Sequence, residues 1–180
     1  MHALIASLYA HIGKYPEDEK SSENTITWIE EHWDFAFVKE NLEGHITGSI
    51  FIINPDKTKI LLIFHKKLQK WLQFWGHADG EKNIQNVAIR EFQEESGILI
   101  APKILWDILH VDVHDVPEYK WKPEHRHFDI RYLWIIDDTI PLFRQEEEVD
   151  DIRWFAIDEV ENYNNESSMM NCILRIKNIS

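Results

Sequence analysis

The sequence predicts an α/β fold in which a mixed sheet packs between helices. Two apolar segments, 46–53 and 60–64, lie on either side of a turn and predict a β-hairpin. Segment 83–97 carries apolar residues at helical spacing, whereas 104–116 and 126–136 read as two further strands. Hairpins mixed with helices are typical of a sheet that is covered by helices.

The N-terminal part is predicted to be helical over residues 1–12 and 23–40. The second of these segments has one apolar stripe with a spacing of three or four residues, formed by Ile26, Ile29, Trp33 and Phe37. Ser22 or Asn24 can cap that helix. We interpret residues 1–43 as an N-terminal helical extension that serves packing, and residues 44–180 as the principal domain.

The central helix is expected to follow a long loop over residues 65–82. Asn83 is a suitable N-cap, and Gly97 can adopt the left-handed conformation that ends a helix. The inward stripe of this helix is formed by Ile84, Val87, Ala88 and Phe92.

The C-terminal part continues the alternation of strands and helices. A connection at 117–124 joins the two later strands, and a polar segment leads to a short strand at 151–156. Helices are expected at 158–164 and 168–177.

Composition narrows the class of protein. The chain has 180 residues, 44% hydrophobic and 28% charged, which suits one globular domain. The net charge of −13 argues against nucleic acid as a partner. No apolar run approaches the roughly 18 residues of a membrane span, and the N-terminus lacks a basic secretory n-region. Cys172 is the only cysteine, which excludes an internal disulfide and fits a reducing, cytoplasmic location.

Three carboxylates on the central helix are the strongest indication of chemistry. Glu91, Glu94 and Glu95 stand at i, i+3 and i+4, so a helix projects them from one side within about 6 Å of one another. Mutual repulsion at that spacing is unfavourable, whereas Mg²⁺ prefers such oxygen ligands. Taken alone, a glutamate-rich helix face is more often simply solvated.

The surrounding residues remove much of that ambiguity. The segment resembles the box of the Nudix (MutT-like) hydrolases, G-x5-E-x7-R-E-U-x-E-E-x-G-U, where U is a bulky apolar residue. Gly76 and the run Arg90 to Ile98 match in register. Lys82 stands where the box has a glutamate, and Glu81 lies one residue early. The resemblance extends from about residue 44 to 160, and it implies an α/β/α sandwich that hydrolyses a pyrophosphate bond.

The resemblance also implies site residues. Glu91 and Glu95, followed by Glu94, are expected to bind Mg²⁺ or Mn²⁺ together with the backbone carbonyl of Trp75. Glu94 and Glu95 are assigned to catalysis, and Arg90 is expected to orient the glutamates and can pair with Glu94.

The general base is less defined by sequence. Relatives often take it from a loop before the last strand, which here contains Glu146, Glu147 and Glu148. We select Glu148 as the candidate base. The alternative is that this is a flexible acidic loop.

A second polar constellation lies on the two later strands. Period two places His110, Asp112 and His114 on one face of the first strand. It places His127, Asp129 and Arg131 on one face of the second. Three interpretations stay open: a hydrogen-bonded network within the sheet, recognition of phosphate or ribose by Arg131 or the histidines, and a second metal site. His77 and His127 are included with Arg131 as candidate substrate-binding residues.

The aromatic residues and the cysteine have mainly structural interpretations. Trp71, Trp75 and Trp121 fall in predicted loops and can stack on a base, although tryptophan is more often buried packing. Cys172 is expected in the core, among apolar residues at helical spacing.

The sequence favours hydrolysis of a nucleoside diphosphate linked to another moiety, and it predicts a small-molecule nucleotide partner. One alternative is a nucleotide-binding module without turnover, for which Lys82 is the indication. Another is an enzyme like the isopentenyl diphosphate isomerases, to whose pattern Gly76-His77 is similar, although Trp75 stands where they have a catalytic cysteine. Neither a nucleic-acid partner nor a membrane is expected, and a homodimer is common among relatives.

Overall fold

The computed structural model describes residues 1–99, 103–120, 122–143 and 149–179. Its α-helices are α1 (His2–Lys14), α2 (Glu19–His32), α3 (Ile84–Ser96) and α4 (Ser167–Lys177). Short 3-10 helices span Pro16–Asp18, Trp33–Phe37 and Ile157–Asn162. The strands are β1 (Gly44–Ile53), β2 (Lys59–His65), β3 (Lys70–Leu72), β4 (Phe74–His77), β5 (Lys103–Val116), β6 (His125–Ile135) and β7 (Val149–Ala156).

Strand β1 is the centre of a mixed sheet. It runs parallel to β6 along its whole length, from Gly44 opposite Arg126 to Ile53 opposite Ile135. Its other edge is shared, because the middle residues 47–50 pair with β4 and the last two residues pair with β2. The strands β3 and β7 extend the sheet beyond β2, and β5 extends it beyond β6. All ten residues of β1 are buried.

The two faces of the sheet carry separate apolar clusters. On one face, α1, α2 and α3 pack on the even-numbered residues of β1 and β6, such as Ile50 and Ile130. On the other face, α4 and the 3-10 helix Ile157–Asn162 cover Phe51 and Leu133. Helices on both faces of a mixed sheet give the α/β/α sandwich that the sequence predicts. The odd-numbered residues of β1 before Phe51 are polar and lie beyond the reach of the α4 cluster.

Several predicted elements are confirmed. The hairpin of β1 and β2 has Ile52 opposite Leu61 and Ile53 opposite Ile60. Helix α3 begins after Asn83, although the Asn83 side chain makes no capping bond. Gly97 ends the helix with φ of 67°, and its N–H donates to the carbonyl of Gln93 at 3.0 Å.

Two predictions about local structure are wrong. The segment 65–82 contains β3 and β4, which are too short to show a strand period. The helix predicted at 23–40 is α2, which begins at Glu19, so both proposed caps lie inside it, and which ends at His32. Trp33 of the predicted apolar stripe therefore lies in the following 3-10 helix and is 61% exposed. Ser22 is fully buried in α2, which places this polar residue on the packed face.

Among the described residues, no helix combines the length and apolar character that crossing a bilayer requires.

Candidate active site

A cleft of about 1570 Å³ opens between the carboxylate face of α3, the polar face of the sheet and the start of α4. Three acidic side chains of α3 line it: Glu91, Glu94 and Glu95. Basic side chains also line it: Lys39, Lys66, Lys67, Lys70, Lys122 and Arg131. The imidazoles in its wall belong to His65, His77, His114, His125 and His127. Acidic residues outside α3 also line the cleft, namely Asp79, Asp112, Asp115, Asp129 and Glu166, so groups of both charge signs surround the carboxylate cluster.

The apolar stripe of α3 sets the direction of its glutamates. Ile84, Val87, Ala88 and Phe92 are buried against the sheet. Because the side chains of a helix project at fixed angles, burying this stripe holds Glu91, Glu94 and Glu95 along the side that faces the cleft.

Glu91 packs directly against Gly76 of β4. A Cβ atom built on Gly76 would lie 2.0 Å from the Glu91 Cδ and 2.2 Å from its Oε1. No side chain other than hydrogen leaves the carboxylate in this position. The glycine of the box thus provides the space that Glu91 occupies.

Arg90 connects this carboxylate to β4. Its Nη2 donates to Glu91 Oε1 at 2.7 Å and to the His77 carbonyl oxygen at 2.7 Å. The sequence predicted Glu94 as the partner, and the observed partner is Glu91. The Arg90 guanidinium turns towards β4. The Glu91 carboxylate also points towards β4, so the two groups meet there.

Glu95 is only 4% exposed and accepts a hydrogen bond from the Trp75 N–H at 3.3 Å. A buried carboxylate is costly unless something stabilises its charge. Trp75, whose carbonyl is a candidate metal ligand, lies in β4 opposite Ser49. Glu91 and Glu95 therefore both contact the short strand β4, one at Gly76 and one at Trp75.

The presence of Lys82 where the box has a glutamate has a structural explanation. Lys82 forms an ion pair with Asp34 of the 3-10 helix, with 2.5 Å between Nζ and Oδ1. Glu81 accepts a hydrogen bond from the Asn83 N–H at 2.8 Å, at the start of α3. Neither residue lines the cleft. Position 82 contacts the N-terminal residues instead of the carboxylate cluster.

The polar residues of β5 and β6 lie side by side, because the two strands pair. Asp112 lies opposite Asp129, and His114 lies opposite His127. Arg131 joins the strands, because its Nε donates to Asp129 and its Nη2 to Asp112, each at 2.8 Å.

The Arg131 side chain is 4% exposed, and its Nη1 donates to the Ser168 carbonyl at 3.0 Å. Thr47 and Ser49 of β1 complete the network by donating to Asp129 at 3.0 and 2.7 Å. Arg131 thus organises the floor of the cleft. The direct substrate contact suggested by sequence would require Arg131 to give up one of these bonds.

Asp112 is negatively charged at neutral pH. Burial raises the pKa of this carboxyl, but the hydrogen bond from His114 and the charge of Arg131 outweigh burial and lower the pKa to about 2.

Three histidines come together beside the carboxylate cluster: His45 of β1, His77 of β4 and His127 of β6. Each can offer one nitrogen such that the three atoms lie within 4.8 Å of one another. Burial lowers the pKa of His45 and of His77 to about 4, and it lowers the pKa of His127 further. These imidazoles are therefore neutral at pH 7. The sequence had singled out His77 and His127, but not His45, whose alternation with Thr47 and Ser49 carries the same period-two pattern.

The remaining candidates are the tryptophans, the cysteine and the acidic residues that precede β7. Trp75 lines the cleft, whereas Trp71 packs edge-on against Phe155, with ring centroids 4.7 Å apart. Cys172 is fully buried in the core, as predicted, and burial raises the pKa of its thiol to about 11. Glu148 and its neighbours Glu146 and Glu147, as well as Trp121, lie outside the described residues.

Comparison with known proteins agrees with this geometry. Residues 43–173 match the family model described as NUDIX domain. A protein of Lactococcus lactis subsp. cremoris (strain MG1363) named "Probable DHNTP pyrophosphohydrolase" is 29% identical over 122 residues, which cover 67% of this chain and 68% of that protein.

Solved structures share the fold at low identity. A C. elegans Ap4A hydrolase complex superposes with a TM-score of 0.58 at 18% identity, covering 73% of this chain and 94% of that one. The E. coli dihydroneopterin triphosphate pyrophosphohydrolase gives a TM-score of 0.58 at 11% identity, covering 74% and 96%. With Gly76 and the three box glutamates lining one cleft, and with the family model matching most of its length, the chain belongs to the Nudix hydrolase family.

Proposed function

We propose that this protein hydrolyses the pyrophosphate bond of a nucleoside diphosphate linked to another moiety, with Mg²⁺ or Mn²⁺ as cofactor. The observation that carries the proposal is the seating of Glu91 and Glu95 against β4, which requires a glycine at position 76. These carboxylates and the Trp75 carbonyl form an all-oxygen donor set, which suits a hard divalent cation.

The negative charge of the carboxylate ligands also suits a divalent cation. Glu95 is almost completely buried, and an ionised buried carboxylate gains most from a positive neighbour. Glu91, Glu94 and Glu95 would hold the cation, with the Trp75 carbonyl completing the set. A divalent cation there neutralises phosphate oxygens and makes attack by water on phosphorus easier.

The chain's own residues supply positioning and proton transfer. Arg90 holds Glu91 in place through its bonds to the carboxylate and to the His77 carbonyl. Glu94 or Glu95, on the α3 side of the cleft, can accept a proton from the attacking water. Glu148 stays a further candidate base. The cleft lysines, including Lys39, Lys67 and Lys122, favour a polyanionic substrate despite the net charge of −13.

Two alternatives to pyrophosphate hydrolysis make different predictions for this protein. A binding module without turnover would bind nucleotide and release no product. An isomerase-like reaction needs an acid before Gly76. That position is Trp75, and the lone cysteine, Cys172, is a buried residue of α4.

The test is a substrate panel with Mg²⁺ or Mn²⁺. It contains ADP-ribose, sugar nucleotides, dinucleoside polyphosphates, nucleoside triphosphates and, given the name of the Lactococcus relative, dihydroneopterin triphosphate. We expect a nucleoside monophosphate or an equivalent phosphorylated product from at least one compound.

A matched pair of variants identifies the site. Glu95→Gln should lower the rate on the order of 100-fold or more, whereas the exposed control Glu159→Gln should not change it. A folded wild-type protein that binds nucleotide in calorimetry but turns over no compound would favour the binding module. Localisation in the cytoplasm and homodimerisation stay predictions, and light scattering of the purified protein measures the second.

A further inference from the structure

We propose that His45, His77 and His127 form a second metal site, distinct from the glutamates, that binds a transition-metal ion with Zn²⁺ as the best chemical match. The proposal goes beyond the hydrolase assignment and does not depend on it. It rests on convergence of the three side chains, on the burial of His45 and His127, and on the unpartnered Nε2 atoms of those two residues.

The sheet itself brings the three rings together. In the register of β1, His45 lies opposite His127 of β6, and the next inward residue, Thr47, lies opposite His77 of β4. All three side chains therefore leave the sheet on the same face. Their ring centroids are 4.8 to 5.5 Å apart, and one nitrogen from each lies within 4.8 Å of the others.

Those nitrogen separations are close to what an ion requires. A zinc–nitrogen bond of about 2.0–2.1 Å in a tetrahedral site corresponds to roughly 3.4 Å between ligand nitrogens. The three atoms would have to close by up to about 1.4 Å, which rotation of imidazole rings supplies. Strand backbones fix the three positions, so no rearrangement of the fold is needed.

The unused nitrogens are unusual for a buried site. His45 is 0% exposed and His127 is 4% exposed, yet the Nε2 atom of each lacks a hydrogen-bond partner within the described part of the chain. Leaving a buried polar atom unsatisfied is unfavourable, so such atoms normally have a partner. A bound metal ion would supply that partner to both.

His45 also has the orientation of a metal ligand. Its Nδ1 lies 3.3 Å from the Asn41 carbonyl, to which it donates, so Nε2 carries the lone pair. Metal-binding histidines commonly donate their other ring nitrogen to a carbonyl in this way, which fixes the tautomer and the ring.

The ligand chemistry selects the metal class. Imidazole suits Zn²⁺, Cu²⁺, Fe²⁺ and Ni²⁺, whereas Mg²⁺ and Mn²⁺ prefer the oxygens of the glutamate cluster. Three protein ligands with an open position are typical of sites that also contact water or substrate. His77 and His127 line the cleft and His45 lies beneath them, so the open side faces the substrate space. His125, whose Nε2 is also unpartnered in the described residues, stacks on His45 at 5.1 Å and is the nearest further imidazole.

The experiment uses the full-length chain without a histidine tag, stripped with a chelator and kept in excess Mg²⁺ to occupy the glutamates. Zn²⁺ alone is titrated by calorimetry, and Co²⁺ alone is followed by its visible absorption, which reports nitrogen ligands and coordination number. We expect one equivalent of Zn²⁺ to bind in the presence of Mg²⁺, and Co²⁺ to give an intense spectrum of low coordination number.

Variants assign the ligands without reference to activity. His45→Gln and His127→Gln should each weaken Zn²⁺ binding by about 100-fold or more. The exposed control His2→Gln and the glutamate-site variant Glu95→Gln should bind as wild type does. If a buried variant fails to fold by circular dichroism, His77→Gln at the half-buried cleft position provides the same test.

Three results would overturn the proposal. The first is wild-type protein that binds no Zn²⁺ when Mg²⁺ is in excess. The second is Zn²⁺ binding that survives all three histidine substitutions. The third is Zn²⁺ binding that Glu95→Gln abolishes while the histidine variants retain it.

Discussion

Arg175 Nη1 in α4 donates to Asp18 Oδ2 across 2.9 Å, and this bond ties the N-terminal residues to the last helix. The same oxygen accepts from His11 of α1 at 2.7 Å and from His110 of β5 at 2.8 Å. It also accepts from the Val111 N–H at 3.2 Å. Asp18 is 2% exposed, so one buried carboxylate joins three segments of the fold: α1, β5 and α4.

Replacing this carboxylate should destabilise the whole fold. Asp18→Asn keeps the shape of the side chain but leaves the Arg175 charge without its buried partner. We expect a loss of about 3 kcal/mol in the free energy of unfolding, measured by urea denaturation. The control Asp158→Asn removes a carboxylate that is 90% exposed, from an ion pair with Lys177, and should change stability very little. Equal stability of the two variants would contradict the importance of the buried bonds.

The same network predicts how stability depends on pH. Burial raises the pKa of Asp18, but hydrogen bonds from His11, His110 and Arg175 outweigh burial and hold the pKa well below its ordinary value. A carboxyl with a lowered pKa in the folded state stabilises the protein above its unfolded pKa of about 3.9, and that contribution is lost as pH falls further. Wild-type stability should therefore drop below about pH 4, and Asp18→Asn should show a flatter profile in denaturation series at several pH values.

Gly76→Ala should impair turnover while the protein stays folded. The added Cβ would lie 2.0 Å from Glu91 Cδ, and the carboxylate at the end of that flexible side chain would move aside. Because a displacement of about 1 Å in a site can cost 100-fold, we expect a rate loss of roughly that size. Gly13→Ala is the matched control, since a Cβ there meets no atom within 4 Å. Steady-state kinetics and circular dichroism of both variants check the result.

Arg90→Lys should weaken the response to Mg²⁺. Lysine keeps the positive charge but cannot hold Glu91 and the His77 carbonyl in the planar geometry of a guanidinium. Loss of such a supporting contact typically lowers metal affinity 10–100-fold. A Mg²⁺ titration of activity should show a higher half-saturating concentration, with activity recovering at high Mg²⁺. A rate that stays low at every concentration would indicate that Arg90 acts on the substrate itself.

Cys172 should be unreactive in the native protein. It is fully buried, and burial raises the pKa of its thiol to about 11, so little thiolate is present at pH 8. A thiol reagent should label it only after denaturation. Rapid labelling of folded protein would show that α4 opens readily.

The sequence predicted the parts of the fold that repeat a local pattern. The hairpin of β1 and β2 and the helix α3 have a long apolar period, and Gly97 marks where the helix ends. Strands β3 and β4 span three and four residues, which is too few to show alternation. They form because β2 and β1 offer edges, and single-sequence periodicity contains no information about such edges.

In the candidate site, too, the sequence predicts some features and not others. The glutamates of α3 follow from their spacing, since a helix fixes side-chain direction locally. The partner of Arg90, the contact of Lys82 with Asp34 and the joining of His45 to His77 all depend on which strands become neighbours. Asp18 carries no local indication of its importance, because its partners are up to 157 residues away.

Strand β1 is buried on both faces and paired on both edges. This arrangement affects how the family can change its substrate. Backbone amides in such a strand open only when the entire molecule unfolds, so deuterium should enter there last. Strand β1 contributes Thr47, Ser49 and His45 beneath the cleft, and we expect this base to be more rigid than the loops around it. Loops around the rim can then diversify towards new compounds without disturbing the groups on which the chemistry depends.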